Sequence, residues 1–254
     1  MIIHILPDVT ALYLLLFARI GALVMLMPGI GETTVPTRVR LAMALLITLV
    51  FYPVLSERLP QGLSQDMNRL LFVMIWEIMI GVGIGLIART LMSVVQAAGA
   101  TISTNIGLSF AQSVDPTMGQ QGAIFSSFLS VVGVAVIFST NLHHLAIAGI
   151  VDSYRLFPPG ESFPIDDFRV AAVMTMSGAF RVGIEIGSPF IVFALVFNLG
   201  LGVLQRLMPQ FQVYFLAAPL TILVGLAITA VLIGTIMRLY QSFVETGLMR
   251  FVVP

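Results

Sequence analysis

The stretch Leu70-Leu-Phe-Val-Met-Ile-Trp-Glu77-Ile-Met-Ile-Gly81-Val-Gly83-Ile-Gly85-Leu-Ile-Ala88 decides the fold class. Crossing a bilayer as a helix takes roughly 20 mainly apolar residues, and this run has that length with Glu77 as its single charge. It passes into the less apolar Arg89–Ile106, which is expected to continue as helix. Five further runs of the same kind follow from hydropathy: Ala11–Gly31, Leu41–Leu55, Ala123–Val151, Val182–Leu204 and Phe211–Met237. Leu41–Leu55 is short for a span and is open to a re-entrant reading. The expectation is an all-α membrane protein of about six long, kinked apolar helices.

Composition agrees. Of 254 residues, 58% are hydrophobic and 9% charged, with a mean hydropathy of +1.05. Soluble domains carry about 25% charged residues, so this chain needs lipid or partner subunits around most of its length. The length allows one or two domains, and no stretch reads as a soluble one. Net charge is zero, which gives no field favouring nucleic acid. All twelve basic residues are arginine. The absence of cysteine excludes disulfides, thiolate metal sites and thiol nucleophiles. Met1–Thr10 lacks a basic n-region, so the first apolar run is expected to be retained. With the sides of the membrane alternated and Arg19 left within its span, seven arginines fall on the N-terminal side and four on the other. That balance favours a cytoplasmic N-terminus.

Between the runs, Gly31–Arg40 reads as a linker with Pro36, Arg38 and Arg40. Gly107–Gly122 is rich in glycine, serine and glutamine and has no basic residue. Asp152–Arg169, with Pro158-Pro159-Gly160 and Asp166-Asp167, reads as a solvated loop. The break at Gln205–Gln210 is so short that the last two runs must form an antiparallel hairpin.

Arg19, Glu77, Arg181 and Glu185 lie within or at the ends of apolar runs. Each costs about 2.5–3.5 kcal/mol in hydrocarbon on insertion scales, so each needs a partner or a wet cavity. Arg181 and Glu185 are spaced to pair along one helix face. A polar path for ions and simple helix–helix pairing are both open readings. Pro28, Pro53, Pro189 and Pro219 interrupt or border apolar runs and favour curved helices held by protein neighbours. Gly81, Gly83 and Gly85 sit inside an apolar helix with no preceding strand, which fits close helix packing and not a dinucleotide loop. Gln96, Gly99, Ser103 and Gly107 form a small polar stripe, either a conduit lining or a packing seam. His143 and His144 are adjacent, should point to different helix faces, and make a poor metal site. Ser109 weakly resembles a nucleophile turn, but Ala111 stands where glycine is needed. No catalytic residue, cofactor or metal is therefore expected.

Ordered motifs then point to a family. Phe17-Ala-Arg-Ile-Gly21, Met27-Pro-Gly-Ile-Gly31 and Pro36-Thr-Arg-Val-Arg-Leu-Ala42 resemble the N-terminal signature of the FliR family of flagellar type III export-gate membrane proteins. Ala98-Gly-Ala-Thr-Ile-Ser103, Gly107-Leu-Ser-Phe-Ala111 and Val114-Asp-Pro-Thr-Met118 resemble its central signature. Asn141-Leu-His-His144, Ser153-Tyr154, Pro158 and Gly160 continue the match. Ser188-Pro-Phe-Ile-Val-Phe-Ala-Leu-Val196, Leu204-Gln205 and Pro209-Gln-Phe-Gln212 are similar to the helical hairpin of FliQ.

The resemblance implies a FliP-like part over 1–177 fused to a FliQ-like hairpin over 178–254. It implies a non-enzymatic, channel-forming subunit that assembles with FliP-like and FliQ-like subunits, FlhB and FlhA in the bacterial inner membrane. Unfolded flagellar proteins pass through the assembled channel. It further implies that Gly107–Gly122 is a channel plug, with Phe110, Val114 and Met118 sealing, Asp115 and Pro116 between them, and Gly107, Gly119 and Gly122 allowing movement. An ordinary surface connection is the competing reading of that loop. For the whole chain the alternatives are the equivalent subunit of a virulence injectisome and a standalone secondary transporter.

Overall fold

The computed structural model describes residues 2–27, 31, 35–60, 62–108, 121–210 and 213–252. Among these the chain is helical, with no strand: α1 (Ile2–Leu26), α2 (Thr37–Leu55), α3 (Met67–Asn105), α4 (Gln121–Ser139), α5 (Leu142–Leu156), α6 (Ile165–Leu207) and α7 (Val213–Met249). Five helices are long and apolar enough to cross a membrane, six when the bent pair α4–α5 is counted as one span.

Several boundaries differ from the hydropathy runs, with α6 opening at Ile165 instead of Val182 and α7 continuing to Met249 instead of Met237; three further differences from the expected bounds follow. α2 starts directly after Pro36 and continues through a 3₁₀ turn to Arg58, giving 22 residues and full spanning length. Arg38 and Arg40 therefore stand on its first turns and not in a linker. Proline fixes its own φ and lacks a donor, which suits the position before a first helical turn. The expected continuous run Ala123–Val151 is broken: Ile124–Ser139 and Leu142–Leu156 meet at a 74° bend. Asn141 takes φ 59° there, a left-handed conformation that asparagine tolerates better than most residues. The loop expected over Asp152–Arg169 is shorter, because Asp152–Leu156 close α5 and Ile165 opens α6. Asp166 and Asp167 occupy the first turn of α6, where carboxylates oppose the positive end of the helix dipole.

The chain forms two compact units. The first comprises Met1–Leu91, Phe138–Met176 and Val244–Pro254. Its core is built from stripes at helical spacing: Leu15, Leu16, Ile20, Leu23 and Val24 on α1, and Val73, Ile80, Ile84 and Ile87 on α3. Residues spaced three and four apart share a helix face, so each helix presents one continuous apolar ridge. α1 and α2 are antiparallel neighbours, with the Tyr13 hydroxyl donating to the Leu45 carbonyl at 3.0 Å and its ring 6.3 Å from that of Tyr52. The 157–164 connection is held by rings: Trp76 stacks on Phe163, Phe163 on Phe168, and Phe168 on Phe157.

The second unit comprises Met92–Ile137 and Ser177–Phe243. α3 meets α4 through Gly99, where a Cβ would lie 2.8 Å from Ser126 Cα. α6 and α7 run antiparallel, and Gly178 of α6 meets the Phe243 ring of α7. Pro53, Pro189 and Pro219 lie inside α2, α6 and α7. Pro189 offers no N–H to the carbonyl of Glu185 one turn back, and the Ser188 hydroxyl donates to that carbonyl instead, at 2.9 Å.

Candidate functional site

Two features concentrate the polar chemistry of this apolar chain: a buried cluster around Arg19 and the base of the segment after Gly107. Arg19 lies on the buried stripe of α1, between Leu16 and Leu23, and Glu77 lies on the buried stripe of α3, between Val73 and Ile80. The two stripes face each other, so the charges meet. Arg19 Nε donates to Glu77 Oε2 at 2.6 Å and Nη2 donates to Oε1 at 2.8 Å, a bidentate fork. The side chains are 0% and 1% exposed.

The remaining donors of Arg19 go to α5. Nη1 reaches the Ser153 carbonyl and Nη2 the Phe157 carbonyl, each at 2.9 Å. These carbonyls belong to the C-terminal end of α5, where a cation also opposes the negative end of the helix dipole. The guanidinium lies 4.1 Å from the centre of the Tyr154 ring, a cation–π contact. The Tyr154 hydroxyl donates in turn to the Leu16 carbonyl at 3.4 Å. One arginine thus ties α1, α3 and the end of α5 together. The arrangement is a clamp: both charges are enclosed and matched by hydrogen bonds, and neither opens to a path.

Gly81, Gly83 and Gly85 make this approach possible. A Cβ at Gly81 would lie 2.4 Å from the Arg19 carbonyl oxygen, one at Gly83 2.5 Å from the Phe168 ring, and one at Gly85 2.7 Å from Leu26 Cβ. The glycine run is a packing surface for α1 and for the start of α6.

Arg181 and Glu185 pair with each other at 2.9 Å on α6, but their side chains are 80% and 41% exposed. This pair has a different environment from the Arg19–Glu77 pair. Of the stripe on α3, Gly99 and Ser103 are buried, Gly107 is half-buried and Gln96 is exposed, so Gly99 and Ser103 belong to a packing seam. The His143 and His144 rings, expected on different faces, sit 4.1 Å apart at the α4–α5 bend. No group of three or more His, Asp or Glu that could hold a metal occurs among the described residues.

The expected plug residues Phe110, Val114, Asp115, Pro116, Met118 and Gly119 lie outside the described residues, as does Ser109. The ends of their segment are described. Gly107 has φ 80° and its N–H bonds the Thr104 carbonyl at 3.3 Å, a left-handed stop for α3. Ile106, fully buried, fills a notch at Gly225 of α7, where a Cβ would lie 2.4 Å from its Cγ2. Gly122 falls in the first turn of α4.

In the sequence Arg19 and Glu77 stand out as charges in apolar runs, but nothing there pairs them across 58 positions. Ser153 and Tyr154 stand out in the sequence only as motif residues, and Phe157 does not stand out at all. The available signal was their spacing: Gly149, Ile150, Ser153 and Tyr154 form the buried face of α5, with a serine and a tyrosine where aliphatic residues would serve as well.

Comparison with known proteins bears on the whole chain. A relative named flagellar biosynthetic protein FliR, from Caulobacter vibrioides, is 40% identical over 228 residues, covering 90% of each chain. Proteins of the same name from Bacillus subtilis and Escherichia coli are 27% and 29% identical over about nine-tenths of this chain. The family described as "Bacterial export proteins, family 1" matches residues 10–247, a span that holds the arginine clamp, the glycine run and the hairpin alike. The chain therefore belongs to family 1 of the bacterial export proteins.

Proposed function

We propose that this protein is a structural, channel-forming subunit of the flagellar type III protein export gate in the bacterial cell membrane, with no catalytic centre of its own. The observation that carries the reading is a mismatch of length and covering. α6 has 43 residues, about 65 Å at 1.5 Å per residue, whereas a bilayer's hydrocarbon core is about 30 Å thick. Lipid alone does not cover such a helix. Large apolar side chains are nevertheless exposed along it, from Val170 and Val173 to Val203 and Leu207, with the exposed Arg181–Glu185 pair among them. Other subunits supply the missing cover. The flagellar assignment draws on the three relatives named above, which carry that name across most of their length.

In this reading the partners are FliP-like and FliQ-like subunits, with FlhB and FlhA alongside, and unfolded flagellar proteins are the transported substrates. The chain itself is a FliP-like part over 1–177 and a FliQ-like hairpin over 178–254. The antiparallel α6–α7 pair supports the hairpin. Gly107–Gly122 serves as the plug, and a firm base at Ile106 supports that reading, because a plug needs one fixed end.

The test is purification of the tagged protein from its own membrane in mild detergent. Recovery of FliP-like and FliQ-like subunits in one large assembly is expected, and a stable monomer would overturn the reading. Loss of swimming motility on gene deletion, with effector secretion intact, separates the flagellar role from an injectisome role.

A further inference from the structure

The strap 157–164 joins α5 to α6, and three of its residues, Pro158, Pro159 and Pro164, have no N–H to give. Among the described residues, a single hydrogen bond ties the strap to an element other than α5 and α6: Arg19 Nη2 donates to the Phe157 carbonyl at 2.9 Å. Rings supply the remaining hold. Phe163 stacks on Trp76, with centroids 6.3 Å apart and planes 6° apart, and on Phe168 at 4.7 Å and 14°. Phe72 meets Trp76 edge-on at 5.5 Å. This cover leaves one group unmatched: Trp76 Nε1 is buried and has no acceptor. The two rings packed on Trp76 cannot supply one, because phenylalanine carries no acceptor atom. A buried donor without an acceptor is rare in folded proteins, and it costs at least as much as an ordinary hydrogen bond contributes. Glu161 and Ser162, in the middle of the strap, are exposed.

We infer that 157–164 is a latch, a strap that swings off Trp76 and back, with the unpaired indole N–H setting the balance between the two positions. Ring stacking on Phe163 and the bond from Arg19 favour the closed position. The orphan donor favours the open one, where the indole can donate to water or to a carbonyl of the strap itself. Opening breaks one hydrogen bond to the rest of the unit. Arg19 keeps both oxygens of Glu77 and the Ser153 carbonyl when the Phe157 carbonyl leaves. The clamp is therefore the fixed part of the device and the strap the moving part. Segments held by so few bonds open locally, well below the free energy of global unfolding. The inference concerns contacts within this chain alone, so it stands apart from the assembly reading above. It also makes a prediction of unusual sign. If the rings were a plain packing cluster, shrinking Trp76 to phenylalanine would loosen the strap. If the indole N–H sets the balance, the same change removes the orphan donor and tightens it.

The experiment uses the full tagged chain, purified in mild detergent with whatever accompanies it, and a protease that cleaves after glutamate. Glu161 lies within the strap, and cleavage there follows the population of the open position when closing is fast. The rate of cut at Glu161 is compared between wild type, Trp76→Phe and Phe163→Ala. Expected is slow cleavage of the wild type. Trp76→Phe should be cut about three- to tenfold more slowly, in spite of its smaller ring. Phe163→Ala should be cut about tenfold faster or more. Trp76→Phe cut at the wild-type rate or faster overturns the inference. A wild type that resists cleavage at Glu161 until the whole chain unfolds overturns it too, because the strap then does not open by itself. Phe163→Ala cut at the wild-type rate does the same, and this arm decides the matter if Trp76→Phe fails to accumulate.

Discussion

Arg19 of α1 and Glu77 of α3 meet as a bidentate pair, 2.6 and 2.8 Å apart, on stripes that are otherwise apolar. Each charge occupies a position where the periodicity asks for an aliphatic residue. The carbonyls of Ser153 and Phe157 complete the shell of Arg19, so the pair joins three helices rather than two.

Removing one partner is expected to be far worse than removing both. A buried charge left unpaired typically costs 3–5 kcal/mol, roughly, while replacing a whole buried pair by well-packed apolar residues is often near neutral. Arg19→Met and Glu77→Leu should each lower the thermal unfolding temperature in detergent sharply. The double variant should recover much of the loss, though not all, because the Ser153 and Phe157 carbonyls would still lack their donor. Additive losses in a double-mutant cycle would show that the pair is not a coupled unit.

Glycines in this chain are expected to divide sharply by their surroundings. Gly83→Ala places a methyl 2.5 Å from the Phe168 ring, inside the aromatic stack that holds the 157–164 connection. Gly200→Ala meets nothing within 4 Å and adds helix propensity. The first should destabilise by about 1–3 kcal/mol, and the second should be neutral or stabilising by up to about 1 kcal/mol. Chemical or thermal unfolding of the purified variants separates the two.

Backbone conformation sets a third expectation. Gly107, at φ 80°, and Asn141, at φ 59°, occupy the left-handed region. Gly107→Ala should cost about 1 kcal/mol through strain alone. Asn141→Gly should be tolerated, whereas Asn141→Val should disturb the 74° bend between α4 and α5. Protein level in the membrane and protease sensitivity at the bend report the outcome.

Deletion of residues 110–118 tests the plug directly. If the segment seals the channel, the assembled complex should form in normal yield and leak small molecules across the membrane. A dye- or ion-permeability assay on cells carrying the deletion gives the answer. An assembled complex that stays tight would leave the segment as an ordinary connection.

The sequence by itself determined the class of the protein. Long charge-free runs can bury their backbone polar groups in lipid only as helices, so composition and hydropathy alone led to an all-α membrane chain. The short break at Gln205–Gln210 required a hairpin, and the crowded Gly81–Gly85 run required a close neighbour. Hydropathy averages over a window, however, and this hid the Asn141 bend, where one residue in a left-handed conformation turns the chain within an apolar run. It also hid the start of α2, because arginines on a first helical turn look like a linker. Tertiary structure alone decided what the charges do. Arg19 and Glu77 are 58 positions apart, and Phe157 lies a further 80 beyond Glu77. No local periodicity links such distant positions; they meet because three separate helices pack their apolar ridges together and leave one polar gap that only these groups fill.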